Sequence, residues 1–383
     1  MTQSSAPLAG IKVIELGLWV AGPAAGGIMA DWGASVIKVE TSSGDPQRNV
    51  FGSVGIDKDI PTPPFEVDNR GKKSVVLNLR DETDMASLLS LLSEADVFIT
   101  NMRVAALRRL GLDPDTLTQK FPQLVYGIIT GYGLEGPDAD RPGYDVGAFW
   151  ARSGLAHTMV PPGELPPAIR SGQGDHTTGV TLVSGIMAAL FDRTRTGQGR
   201  IVSTSLLRTG IYTLAWETGT YLRFGKREST RHRTRVTAPL INCYMCSDGR
   251  SLWLLGLEAD RHWPGIVDAL GLHYLADDER FKDGKARYKN NEVVITELDK
   301  VFASNTYDYW VSRLDEHEVW WAPINSIPDS VIDPQVIASG AFVAMTPHDG
   351  EEPYRAVNTP VDFNGYTIAP GPVPRLGEHS PNW

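Results

Sequence analysis

Ile11-Lys12-Val13-Ile14-Glu15-Leu16 is followed, across the small residues from Ala21 to Gly33, by Ala34-Ser35-Val36-Ile37-Lys38-Val39-Glu40. Each run is short and rich in β-branched residues, which reads as a strand. Ser74 to Leu79 predicts a third strand, Ala95 to Thr100 a fourth and Leu124 to Thr130 a fifth. Between them, Asp81 to Glu94 places Leu88, Leu89, Leu91 and Leu92 in a helical patch, and Val104 to Leu110 predicts a short helix. Strand and helix alternating in this way predict an α/β fold, a Rossmann-like open parallel sheet covered by helices.

Farther along, Val183, Ile186, Met187 and Leu190 share one face of a helix that begins after Asp175, and Thr196-Gly197 ends it. Ser203 to Phe224 predicts another helix. It leads into Arg223 to Arg235, where six of thirteen residues are Arg or Lys, read as an exposed connection. Leu240 to Cys246, Ser247-Asp248-Gly249-Arg250 and Ser251 to Leu257 predict strand, turn and strand, followed by helices carrying Trp263, Trp310, Trp320 and Trp321. The expected organisation is a large α/β domain over 1–205, a linker over 206–235, a small α+β domain over 236–325 and a C-terminal segment over 326–383. That last segment is too rich in Pro and Gly to build its own core. Thr41 to Asn69 reads as a long loop that covers a site or a partner subunit.

The 383 residues are 42% hydrophobic and 21% charged, which excludes a largely disordered chain. The 46 acidic against 36 basic residues, a net charge of -10, argue against nucleic acid as a partner. No apolar run approaches the roughly 20 residues that cross a bilayer, so no membrane role is expected. The start, Met-Thr-Gln-Ser-Ser-Ala-Pro, carries no export signal, and a cytoplasmic location follows as an expectation. The basic stretch Arg223 to Arg235 is read as a solvated connection pairing with acidic surface on a neighbour.

Several chemistries lose support. Gly17, Gly22, Gly26 and Gly27 lack the dinucleotide spacing, and tight strand–helix packing explains them. Cys243-Tyr-Met-Cys246 has redox spacing, but on a strand the two point to opposite faces and no His completes a zinc set, so two core thiols is the better reading and no metal is expected. No H-E-x-x-H or G-x-S-x-G occurs. One segment stands out: Gly172-Gln173-Gly174-Asp175-His176-Thr177-Thr178-Gly179, glycines flanking a carboxylate ahead of an apolar helix. Asp in that place is ordinarily an N-cap. Capping needs no flanking glycines, however, whereas close approach of a bulky substrate does. A helix N-terminus would hold Asp175 ionised, below an ordinary pKa of about 3.9. An ionised, approachable carboxylate is a candidate nucleophile. His176 is a weaker candidate.

The chain resembles the family III CoA-transferases, the group with the formyl-CoA and carnitine-related CoA-transferases and, as cousins, the α-methylacyl-CoA racemases. The likeness runs through Pro7 to Val13, Ala21-Gly22-Pro23, Gly33 to Glu40, Gly44 to Arg48, Asn69 to Ser74, Ala95-Asp96-Val97, Arg108 to Leu112 and Gly131-Tyr132-Gly133. It continues with Gly136-Pro137, Arg141 to Asp145, the Asp175 segment, Thr196 to Gly199 and Leu376 to His379. The resemblance implies that Asp175 attacks an acyl-CoA thioester, giving an aspartyl anhydride and then an aspartyl-CoA thioester. Coenzyme A and acyl-CoA enter as substrates with a free carboxylic acid, and no cofactor stays bound. Backbone N–H groups beside Asp175 would stabilise the oxyanions. The resemblance also implies an interlocked homodimer whose tail returns to the large domain.

In open parallel sheets ligands gather at the carboxyl ends of strands. Here those ends carry Val20, Thr41, Leu77, Asn78, Arg80, Asn101, Met102, Arg103, Thr130, Gly131, Tyr132 and Gly133, where the family contacts CoA. By position Asn101, Met102 and Arg109 would hold the adenine and ribose-phosphate end, with Leu77, Asn78 and Arg80 beside it. Arg80, Arg103 and Arg109 suit phosphate, or are ordinary surface arginines. Val20 stands where formyl-CoA transferases have Gln, Thr41 replaces an Arg and Thr130 a Lys. Leu254-Leu255-Gly256-Leu257-Glu258 lacks the glycine-rich lid of the oxalate-using enzymes. A larger or less polar acid than formate or oxalate is therefore expected. Two rival readings remain: a racemase, disfavoured because Tyr144 sits where that branch has a His, and a non-catalytic acyl-CoA-binding protein.

Overall fold

The structure, a computed structural model, describes residues 6–52, 55–56, 60–226, 229–345 and 352–383. Residues 1–5 of the N-terminal reading, parts of the expected loop after Thr41, Arg227 of the basic stretch and 346–351 of the tail lie outside it. The chain divides into two compact units, one of residues 1–157, 167–227 and 337–383, the other of 158–166 and 228–336.

The first unit is built on six parallel strands: β1 (Lys12–Leu16), β2 (Ser35–Glu40), β3 (Lys73–Val76), β4 (Val97–Thr100), β5 (Val125–Thr130) and β6 (Ile201–Ser205). Their order is β3-β2-β1-β4-β5-β6, the doubly wound arrangement in which the chain reverses direction across the sheet between β1 and β4. Helices α1 (Ala21–Asp31), α2 (Pro63–Asn69), α3 (Glu82–Glu94), α4 (Val104–Leu110), α5 (Pro114–Lys120), the short α6 (Leu155–Thr158) and the long α7 (Gln173–Thr196) follow in chain order. Alternation along the strands sorts the core into two layers. Val13, Val36, Val97 and Val125 pack on one face against Ala25 and Met29 of α1 and Leu182 and Ile186 of α7. Ile14, Ile37, Phe98 and Tyr126 pack on the other, against Leu88 and Leu92 of α3, Leu107 of α4 and Leu117 of α5.

Three expectations change. Ser203 to Phe224 is not one helix: β6 pairs with β5 over five positions, and only then come α8 (Leu206–Thr213) and α9 (Ala215–Phe224). Ile201, Val202 and Thr204 are β-branched, and a free edge beside β5 outweighs helical continuity. The stretch from Thr41 is not loop throughout, because a 3-10 turn over Pro46–Asn49 and α2 lie within it. The helix after the glycine-flanked segment begins at Gln173, so Asp175 is its third residue and no cap. The cap is Gly172, with φ of 76°.

Of the expected tail over 326–383, residues 337–383 belong to the first unit and 326–336 to the second. β10 (Phe342–Ala344) and β11 (Arg355–Val357) form an antiparallel ribbon. Beyond it, Pro372 and Pro374 carbonyls accept from Gly71 N at 2.9 Å and Arg48 Nη1 at 2.9 Å. The buried Arg70 pairs with Asp31 at 2.6 Å and donates to the Val357 carbonyl at 2.8 Å.

In the second unit, β7 (Ile241–Met245), β8 (Ser251–Leu255) and β9 (Trp321–Pro323) make an antiparallel sheet. Leu252, Leu254, Trp263, Ile266, Leu298, Phe302 and Trp310 form its core. β9 carried no sequence signal because three residues are too few for a period. Two residues of the basic stretch pair within the chain, Arg233 with Asp299 at 2.6 Å and Arg235 with Glu292 at 3.7 Å. Cys243 is half-buried and Cys246 buried; both are free, and burial pushes the Cys246 thiol up to about 11.

Candidate active site

Asp175 opens on a cavity of about 310 Å³ at the carboxyl ends of β1, β4 and β5. Leu18, Trp19, Val20 and Ala21 line it from the β1–α1 turn, Asn101, Met102, Arg103 and Ala106 from the β4–α4 turn, and Ile129, Thr130 and Gly131 from the end of β5. Gly143, Tyr144 and Leu206 complete it. Thus Val20, Asn101, Met102, Arg103, Thr130 and Gly131 meet Asp175 in one cavity. Tyr132 and Gly133 continue the β5 turn, where Gly133 N donates to Thr130 Oγ1 at 2.8 Å. Thr41, Asn78, Arg80 and Arg109 are exposed, Leu77 is buried in the core, and none of the five lines this cavity.

The β1–α1 turn is held from below. Asn101 Oδ1 accepts from Leu18 N at 2.9 Å and its Nδ2 donates to the Leu18 carbonyl at 2.7 Å. Trp19 adopts φ of 62°, a left-handed backbone costly for a bulky residue. Its N–H donates to Asp45 Oδ1 at 3.0 Å, and its ring meets Tyr144 edge-on at 6.2 Å.

Asp45 belongs to a buried ion network absent from the sequence reading. Glu15 and Lys38 face each other in register on β1 and β2, paired at 2.9 Å, and Lys38 reaches Asp45 at 2.9 Å. Lys72 approaches Glu15 at 2.6 Å and donates to the Pro23 carbonyl and Asn69 Oδ1, each at 2.9 Å. Burial alone would pull the Lys38 ammonium down, yet Glu15 and Asp45 outweigh it and raise it. Lys72 shares Glu15 with Lys38, and burial pulls it down to about 8. A Cβ on Gly26 would lie 2.0 Å from Glu15 Oε2, and one on Gly27 2.7 Å from the Asp68 carbonyl. Close packing of those glycines is therefore what the site rests on. The signal was present: a Glu and a Lys in strands buried on both faces must be paired.

Three expectations about Asp175 are corrected. Glycine at 174 does not open a path for substrate, because a Cβ there would lie 2.6 Å from the Phe149 ring, which already fills the space. The N–H groups on either side of Asp175 are engaged, Gly174 N with Asp145 Oδ2 at 3.3 Å and His176 N with the Gly172 carbonyl at 2.8 Å, so they are not spare oxyanion donors. The helix terminus does not hold Asp175 below the usual carboxylate range. Burial, with the Asp145 charge adding to it, pushes its carboxyl up to about 7, against a smaller downward pull from His176. A half-buried carboxylate facing a second, buried one is poorly ionised because neither charge is well hydrated.

His176, set aside from the sequence, is part of this site. Its Nε2 lies 3.0 Å from Asp68 Oδ1 and its Nδ1 2.9 Å from the Gly172 carbonyl. Asp68, at the end of α2, is buried and accepts on its other oxygen from Gln47 Nε2 at 3.3 Å. Burial would lower the imidazole, but the hydrogen bond and charge of Asp68 outweigh that and raise it.

The family model described as CoA-transferase family III matches residues 8–380. The chain is 33% identical over 375 residues to (R)-2-hydroxy-4-methylpentanoate CoA-transferase of Clostridioides difficile, covering 97% of this chain and 93% of that protein. It is 35% identical over 374 residues to cinnamoyl-CoA:phenyllactate CoA-transferase of Clostridium sporogenes, covering 95% and 89%. Its fold is similar to the crystal structure of a CaiB/BaiF family protein from Brucella suis, with a TM-score of 0.84, 31% identity and 98% of each chain covered. No helix among the described residues is long and apolar enough to cross a membrane. With its match spanning nearly the whole sequence, the chain belongs to CoA-transferase family III.

Proposed function

We propose that the chain transfers CoA from an acyl-CoA donor to a free carboxylic acid, with Asp175 as the covalent carrier. The observation that carries this reading is the place of Asp175: in the wall of a cavity at the carboxyl ends of a doubly wound sheet, with its carboxyl pushed up to about 7. A carboxylate with a raised pKa is more nucleophilic once deprotonated, so burial that costs ionisation gains reactivity.

In the first step an Asp175 oxygen adds to the thioester carbonyl, the C–S bond breaks and CoA leaves as thiolate, giving an acyl-aspartyl anhydride. The thiolate then adds to the aspartyl carbonyl. The anhydride C–O bond breaks, the donor acid leaves as carboxylate, and aspartyl-CoA remains. An acceptor carboxylate attacks that thioester and the two steps run in reverse. Thioester is exchanged for thioester, so neither ATP nor a resident cofactor is required. Six of the proposed CoA contacts share the cavity with Asp175 and suit the thioester end; Asn101 and Met102 are among them, which moves these two from the adenine end expected by position. The exposed Arg80 and Arg109 suit phosphates farther out.

The largely apolar wall of Leu18, Trp19, Val20, Met102 and Leu206 supports an acid larger or less polar than formate or oxalate. A homodimer is part of the same reading: α9 buries no residue although it carries Trp216, 85% exposed, with Leu222 and Phe224 also exposed.

Crossing a panel of acyl-CoAs with free acids, with mass spectrometry of the protein, tests the reading. Expected are new acyl-CoA only when an acid is present and an aspartyl-CoA adduct on the peptide containing Asp175. Deuterium entering a 2-methylacyl-CoA in heavy water, with no acid acceptor, would turn the assignment to a racemase. Binding without adduct or exchange across the panel would turn it to a non-catalytic acyl-CoA-binding protein.

A further inference from the structure

We propose that His176 is held as an imidazolium through the neutral range by Asp68 and the Gly172 carbonyl, and that this fixed positive charge keeps Asp175 available as an anion. The first half stands on geometry alone; the second rests on the reading of Asp175 given above.

A neutral imidazole has one N–H and one lone pair, so it satisfies one acceptor and one donor. His176 meets two acceptors. The Gly172 carbonyl, 2.9 Å from Nδ1, has no proton to give, and the Asp68 carboxylate, 3.0 Å from Nε2, is acceptor-only when ionised. Either neutral tautomer would set a lone pair against an oxygen. The doubly protonated ring satisfies both, and the contact with Asp68 becomes a charge-assisted hydrogen bond. Asp68 is itself fixed: it is buried, anchored by Gln47 on its second oxygen and carried on α2, whose end packs against Gly27 of α1.

Among the described residues, the charged groups around the ring are few. Asp68 faces it from α2 and Asp175 from its own helix; Asp145 acts on Asp175, and Lys72 lies within electrostatic reach of Asp68. Two carboxylates, Asp145 and Asp68, oppose ionisation of Asp175, and His176 is the cation that favours it. His176 is therefore a positioning residue that acts through Asp175. Both its N–H groups are committed, so it serves as a charge and not as a proton donor.

The test needs no variant at its first stage. Diethyl pyrocarbonate acylates neutral imidazole and spares imidazolium, and the His176 side chain is 50% exposed. Its modification rate in the full-length protein, followed against pH by mass spectrometry of the peptide, gives a midpoint. A midpoint above the ordinary 6.5 is expected, moving down in Asp68→Asn. A midpoint at or below 6.5 in the parent overturns the proposal.

The second stage is the pH profile of adduct formation in His176→Gln. The expected result is an acid limb moved to higher pH, with a rate at pH 6.5 lower by roughly threefold or more and a rate at pH 9 within about twofold of the parent. A uniform loss at every pH, with the limb unmoved, is the signature of a structural role and overturns the second half. Full activity in Asp175→Asn would instead sink the reading of Asp175 while leaving the reagent profile of His176 intact, so the two failures are distinguishable.

Discussion

Asn101 holds both backbone groups of Leu18, its amide oxygen accepting from the Leu18 N–H at 2.9 Å and its amide nitrogen donating to the Leu18 carbonyl at 2.7 Å. The side chain at the end of β4 thereby sets the turn that carries Trp19 and Val20 past Asp175. The bare Cα of Gly22 makes room, since a Cβ there would lie 3.1 Å from the Asn101 amide.

Asn101→Ala is expected to remove both bonds, at about 1 kcal/mol each, and to release the turn. kcat/KM for acyl-CoA should fall by about tenfold or more, while Asn101→Asp, which keeps the acceptor and loses the donor, falls between. Equal kcat/KM in Asn101→Ala and parent would show that the clamp does not matter to the site.

Activity should rise with pH through about 7, because only the ionised Asp175 attacks and its carboxyl is pushed up to that value. Asp145→Asn removes the neighbouring like charge but can still accept from Gly174 N, so the midpoint should move to lower pH. Single-turnover adduct formation between pH 5 and 9 measures both, and an unmoved midpoint in Asp145→Asn refutes the role of Asp145.

Asp175→Asn should abolish transfer and stabilise the fold at pH 8. The carboxyl's folded value, about 7, is above its ordinary 3.8, so charging it in place costs stability. That cost is absent below about pH 4, grows as pH rises and is complete above about 7. The variant's gain in Tm, a few degrees, should therefore be present in full at pH 8 and reduced to about a quarter at pH 4.5; a gain independent of pH would contradict the argument.

Glu15→Gln leaves Lys38 and Lys72 without the anion they share. Loss of one partner from a buried ion group costs about 3–5 kcal/mol. Urea unfolding should show that loss directly, and because Asp45 hangs on Lys38, activity should fall as well. A loss below about 1 kcal/mol would mean that the network relaxes or takes in water.

Much of the first unit was legible without coordinates. β1 and β2 announced themselves because strands buried on both faces read as unbroken β-branched runs, and α3 because leucines recur at helical spacing. The glycines of α1 were correctly assigned to packing. Asp175 stood out because Gly172 and Gly174 flank it, although each glycine proved to serve another purpose, a left-handed cap and a seat for Phe149.

Local pattern is a property of neighbours along the chain, and it was enough for strand identity, helix faces and the segment that carries Asp175. The ionisation of that carboxylate belongs to contacts across the chain: Asp145 lies 30 residues before it, and Asp68 reaches His176 over a separation of 108. The same holds for β6, which became a strand because β5 offered an edge, and for Glu15, whose charge is tolerable only beside Lys38 and Lys72. Burial and Coulomb energy depend on distance in space, and folding alone sets those distances.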